Sequence, residues 1–199
     1  MHRFAPISVL TAVLVTFFAL PAARSQTVEF YATAAPTYLN HLYTVTGSGS
    51  NAGSDFSGYW FIPPTAGVTL NFEKPGPVTL GLDFRGSPKL GTPGLGSFLV
   101  GLKLNVKTAP FHLKPYGQLS LGYLDQSHTT GAGASAVTSS QAYLGFELLS
   151  GVDYPVASHI DIRIVEVGLG VTRYSAATGT NTNPSPSIVS LQSGVVVHF

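Results

Sequence analysis

The chain has 199 residues, of which 10% are charged, with a formal net charge of +1 and no cysteine. That length holds one domain, the charge balance supplies no basic surface for nucleic acid, and a disulfide-stapled scaffold is excluded. Hydrophobic residues make up 44%, yet beyond the N-terminus no apolar run approaches the ~20 residues of a membrane helix, so the apolarity is spread along the chain.

His2 and Arg3 precede an apolar run over 7–20, which suits the ~7–15-residue core of a secretory signal better than a membrane span. Small residues at Ala23 and Ser25 place cleavage before Gln26. The expectation is a signal peptide over 1–25 and an exported single domain over 26–199.

From there, period-two alternation predicts one strand after another. The first, over 27–35, sets Val28, Phe30, Ala32 and Ala34 against Glu29, Tyr31 and Thr33. The second, 65–73, sets Ala66, Val68, Leu70 and Phe72 against Thr69, Asn71 and Glu73, and the third, 78–85, sets Val78, Leu80, Leu82 and Phe84 against Thr79, Asp83 and Arg85. A fourth over 98–107 opposes Phe98, Val100, Leu102 and Leu104 to Lys103, Asn105 and Lys107. A fifth over 112–123 opposes Leu119, Leu121 and Tyr123 to Lys114, Tyr116, Gln118 and Ser120. The sixth, 142–151, opposes Leu144, Phe146 and Leu148 to Glu147. In the seventh, from His159, Ile160, Ile162 and Ile164 alternate with Asp161 and Arg163 until the pattern slips near Glu166, where a β-bulge would absorb an extra residue. The last strand runs to the C-terminus in "SGVVVHF", with Leu191, Val195 and Val197 opposite Ser190, Gln192, Gly194 and His198.

Long connections alternate with short ones: 39–62, 125–140 and 174–188 are rich in Ser, Thr, Gly and Asn, whereas "EKPGP", "KTAPFH" and "DYPVAS" are short. An even number of strands about ten residues long, with long loops at one end and short turns at the other, points to an all-β, eight-stranded, antiparallel up-and-down transmembrane barrel. A water-facing exterior would carry ~25–35% charged residues, so the apolar face belongs against lipid and the polar face inside. Tyr38, Tyr59, Trp60, Phe61, Tyr123 and Tyr174 at the loop end, and Phe72, Phe111, Tyr154 and Phe199 at the turn end, read as two interfacial girdles, although aromatic residues also favour strands in general.

Charges on the polar face must be paired once desolvated. If Tyr154–Val156 makes the turn between the sixth and seventh strands, Glu147 and Arg163 become cross-strand neighbours, and a lumenal ion pair between them is expected. The alternative use of such charges is an ion path, which the narrow lumen of an eight-stranded barrel disfavours.

The sequence resembles the small bacterial outer-membrane barrels of the OmpA-like and OmpX-like kind. The resemblance rests on the whole alternating pattern, on the terminal "VVVHF" and on "GVDYPVASHIDIR", which is similar to the penultimate hairpin of such proteins. It implies that Phe199, with Val197 and Val195 before it, is read by the barrel-assembly machinery and that the location is the bacterial outer membrane; OmpA itself adds a periplasmic peptidoglycan-binding domain, which is not expected here because the sequence stops at Phe199.

Catalytic motifs are weak. Asp125, Ser127 and His128 supply the residue types of a hydrolytic triad but lie too close in sequence to converge. His112, His159 and His198 gather at the turn end without the carboxylate or thiolate spacing of a metal site, and the Gly-rich stretches lack the ending of a phosphate loop. No cofactor or metal is expected. The leading expectation is a monomeric, non-enzymatic barrel working through its long loops on a cell surface or glycan. A channel for small or apolar solutes, as in OmpW-like barrels, is the second, and a lipid A-modifying enzyme using His41 or His128 is the third.

Overall fold

A computed structural model describes residues 26–40, 44–46, 53–55, 58–72, 76–91, 93–106, 112–130, 136–174 and 186–199. The expected signal peptide, His41, Glu73, Lys107 and Phe111 lie outside these residues, as does much of the expected loops 39–62 and 174–188. The elements are β1 (Gln26–Ala34), β2 (Thr37–Leu39), β3 (Thr44–Thr46), β4 (Gly53–Asp55), β5 (Tyr59–Phe61), β6 (Pro64–Phe72), β7 (Val78–Ser87), β8 (Gly94–Val106), β9 (Lys114–Thr130), β10 (Val137–Ala157), β11 (Ile160–Tyr174) and β12 (Ser187–His198).

The ladder runs β1-β6-β7-β8-β9-β10-β11-β12, and β12 pairs back onto β1, which closes the wall with every pairing antiparallel. Closure leaves no strand edge in hydrocarbon, where unpaired backbone groups would be costly. β2 and β5 prolong β1 and β6 in the same register: Ala34 faces Pro64 and Thr37 faces Phe61. The wall therefore has eight staves, two of them interrupted by proline, while β3 and β4 form a separate two-stranded ribbon.

The interruption has a local remedy. The Ala35 amide donates to the Pro63 carbonyl (3.2 Å), but Pro63 has no N–H to return to the Ala35 carbonyl. The Thr37 hydroxyl donates to that carbonyl instead, at 2.9 Å. Thr37→Val keeps the shape and removes the donor, so we expect a loss of about 1 kcal/mol, read from the urea midpoint of the barrel in lipid vesicles.

Alternation sorts the side chains as the sequence predicts. Leu102, Leu119, Leu148 and Leu169 are neighbours in register on four adjacent strands, and each leaves about half of its surface outside. Glu29, Asp83, Arg85, Lys103, Gln118 and Glu147 point inward and are buried. Carboxylates inside and leucines outside invert a water-soluble protein, and an apolar belt of this extent needs lipid. The chain is a transmembrane β-barrel.

The slip near Glu166 is a bulge: Arg163 faces Gly194 but Glu166 faces Gln192. Ile164 and Val165 both point outward, so the extra residue turns Glu166 into the lumen. Strands β9 and β10, of 17 and 21 residues, exceed the ~9–11 that a membrane crossing needs. Most of the expected loop over 125–140 is thus a β-ribbon, paired as far as Thr130 with Val137.

Candidate functional site

The lumen holds two stacked layers of different chemistry. Towards the turn end lies an ionic network centred on Glu166, which is fully buried. Its carboxylate accepts from both nitrogens of the Arg85 fork at 2.7 and 3.3 Å, from Arg163 at 3.2 Å and from the Tyr116 hydroxyl at 2.6 Å. Asp83 accepts from Thr69 (2.7 Å), Gln118 (2.7 Å), Tyr31 (3.0 Å) and Arg85 Nε (3.1 Å). Asp153 takes Arg163 on two oxygens, at 3.0 and 3.3 Å. Paired forks of this kind are the strong form of charged hydrogen bond.

The network extends to the mouth. Lys103 donates to Glu29 at 2.9 Å, and Asn71 donates to the other oxygen of Glu29 at 2.7 Å. Asp161 holds Lys114 and His198 Nε2, each at 2.7 Å. A polar vestibule of about 390 Å³ opens among Glu29, Asn71, Asn105, Lys114, Asp161 and His198.

Two tyrosines brace the cations. The Arg163 guanidinium carbon lies 4.6 Å from the Tyr31 ring centroid and 4.8 Å from that of Tyr116, and Lys103 Nζ is 4.5 Å from the Tyr116 ring, within cation–π range. Each ring lies over the glycine opposite it in register, Tyr31 over Gly67 and Tyr116 over Gly151. A Cβ at either glycine would overlap the ring, so both positions reserve space for the aromatic partner.

Towards the loop end the lumen is apolar. Leu39, Phe61, Leu95, Leu99, Leu124, Tyr143 and Ile188 form one cluster, each at most 5% exposed. Phe61 belongs to this plug, a correction to its expected place in the outer girdle. Tyr38 and Trp60 do pack on each other at that end, with ring centroids 5.2 Å apart. Among the described residues these side chains make an apolar layer in the loop-side lumen, an environment that disfavours a hydrated ion.

The expected Glu147–Arg163 pair is not formed. Register sets Arg163 opposite Asp153, and Glu147 opposite Gly170 on one side and Ser120 on the other. The reason is the position of the turn. β10 runs through Pro155 and Val156 to Ala157, which pairs with Ile160, so the two-residue turn is Ser158–His159. Moving the turn towards the C-terminus, with the two register shifts in this hairpin, carries Arg163 past Glu147 to Asp153.

At the C-terminus Val195 and Val197 face outward and Val196 is buried. Phe199 exchanges backbone hydrogen bonds with Val28 at 2.9 and 3.3 Å, and its ring meets Phe30 edge-on at 5.6 Å. Phe199 thus fastens the last strand to the first.

Of the triad residue types, Asp125 forms an ion pair with Lys89 at 2.6 Å and Ser127 is buried. Among the described residues no His, Cys, Asp and Glu grouping could hold a metal ion. The His159 ring contacts Ser158 (2.8 Å), and its carbonyl accepts from the His198 amide (2.9 Å).

No protein-family model and no curated protein matches the chain. Among solved structures it is similar to Neisserial surface protein A (18% identity, 87% of this chain and 97% of that one, TM-score 0.47). It is also similar to Ail, the attachment invasion locus protein of Yersinia pestis (9% identity, 88% and 99%, TM-score 0.48). A third is the N-terminal β-barrel domain of OprF from Pseudomonas aeruginosa (14% identity, 87% and 97%, TM-score 0.40). These likenesses are too distant to transfer a role; the closed register above is what establishes the barrel.

Proposed function

We propose that this barrel of the bacterial outer membrane is neither a channel nor an enzyme and works by contact at the cell surface, through the β9–β10 ribbon and the connections at that end. The observation that carries this reading is the apolar layer across the loop-side lumen, beneath a ribbon that continues well past the membrane wall. A sealed bore leaves the outer rim as the working surface. Its paired Thr129 and Thr138 hydroxyls, 2.8 Å apart, and the exposed Ser140 suit hydrogen bonding to a glycan or a protein surface. Lipids of the outer membrane surround the monomer, and Phe199 with Val197 and Val195 serves the assembly machinery.

Two measurements test this. The protein reconstituted in planar bilayers should give no discrete conductance steps, whereas regular steps would favour solute passage. Replacing residues 128–139 by an Asn-Gly turn between the paired Ser127 and Ser140 should leave the barrel folded, as read by faster migration of unboiled protein on a cold SDS gel, and should abolish binding to host cells or a glycan array. Undiminished binding would refute the ribbon as the contact surface.

A further inference from the structure

Among the described residues six carboxylates are buried in the lumen: Glu29, Asp83, Glu147, Asp153, Asp161 and Glu166. Five are held by cationic side chains. Glu147 is the remainder. It is 6% exposed, and among the described residues it makes no hydrogen bond or ion pair. It lines a cavity of about 30 Å³ between the ionic network and the apolar plug. Ser190 lines the same cavity, 3% exposed, and its Oγ has no partner.

A buried carboxylate beside a buried, unpartnered hydroxyl is costly unless something neutralises one and bonds the other. The surroundings define what fits. Thr37, Thr65, Ser87 and Ser97 also line the cavity; the Thr65 and Ser87 hydroxyls bond each other at 2.6 Å and that of Thr37 donates to the Ala35 carbonyl, and each hydroxyl oxygen keeps lone pairs of the kind a hard cation takes. Arg85 also reaches the cavity, but its guanidinium is committed to Asp83 and Glu166. The six carboxylates face four lysine and arginine side chains, because Arg85 serves both Asp83 and Glu166, and a site that combines a single carboxylate with neutral hydroxyls beside Arg85 suits a monovalent ion better than a divalent one. The volume accepts about one or two water-sized species.

We propose that Glu147 and Ser190, with the hydroxyls of Thr37, Thr65, Ser87 and Ser97, form a buried site for a small monovalent cation such as sodium. The cation ties β10, through Glu147, to β2, β6, β7, β8 and β12, which carry the hydroxyls, and so works as a structural ion within the wall.

The test uses the full chain purified in detergent. Its unfolding midpoint, read from the heat-modifiable gel band, is compared in sodium chloride and in choline chloride at equal ionic strength. Sodium should raise the midpoint by about 5 °C, Glu147→Gln should abolish that difference, and Ser190→Ala should shrink it. If Glu147→Gln fails to fold, the wild-type midpoint across lithium, sodium, potassium and caesium decides, because a cavity this small must discriminate by ion radius. Equal midpoints in all salts would overturn the proposal. So would an infrared carbonyl band of a protonated carboxylic acid that is present in sodium and missing from Glu147→Gln, since a proton would then occupy the group.

Discussion

Arg163→Met is expected to destabilise the barrel by about 3–5 kcal/mol, measured by guanidinium unfolding in lipid vesicles. Arg163 is 1% exposed and serves Asp153 and Glu166 at once. Its removal leaves Asp153 with Lys103 at 4.0 Å as its nearest described cation and takes one of two arginines from Glu166, which keeps Arg85, so the cost is that of under-compensated buried charge more than of one lost bond. Two further contacts disappear with it, because the guanidinium separates the rings of Tyr31 and Tyr116. Arg163→Lys should recover only part of the loss, since an ammonium cannot reproduce the two-pronged contact with Asp153. A loss below about 1 kcal/mol would mean that the network is solvated like a surface ion pair.

Leu148→Arg is the second large effect, with an expected cost of about 2–4 kcal/mol in lipid. Leu148 stands in the row of four registered leucines and is 56% exposed. In a soluble protein a charge at so exposed a position would be nearly neutral. Here the exposed surface is hydrocarbon, so the arginine must be dragged out of water. Arginine at Ser140, which is also exposed but lies on the ribbon beyond the wall, is the control and should change little. Equal, small effects at both positions would show that lipid does not surround the leucine row.

Much of this was legible in the sequence, and the parts that were not share a cause. Period-two reading recovers a strand face wherever one side is apolar and the other is not, as along Leu80 to Arg85 or Val100 to Lys103. It fails where both sides are apolar. Leu99, Leu124, Leu149 and Ile188 all point inward, yet each sits beside an outward apolar residue: Phe98, Tyr123, Leu148 and Val189. Such doublets blur the alternation, and three of these inward residues, Leu99, Leu124 and Ile188, belong to the apolar plug. The Glu147–Arg163 expectation failed for another reason. Pro155 looks like a turn residue, but it sits within β10, and an error of a few residues in a turn moves every cross-strand pair above it. The identities of the lumenal groups could be read from the chain; which acid would be left without a partner depended on register.

The bulge at Ile164 and Val165 also bears on how this chain can change length. Removing one residue from most staves would reverse the facing of everything downstream, sending arginine to lipid and leucine to the bore. Removing Val165 would not. Arg163, Ile164 and Glu166 would then follow one another as inward, outward and inward, and the pairings of Arg163 with Gly194 and of Glu166 with Gln192 would fall at regular spacing. The same holds against β10, where Arg163 faces Asp153 and Glu166 faces Gly151. A single-codon deletion there leaves the topology intact, so insertions and deletions that survive in this wall should collect at its bulges.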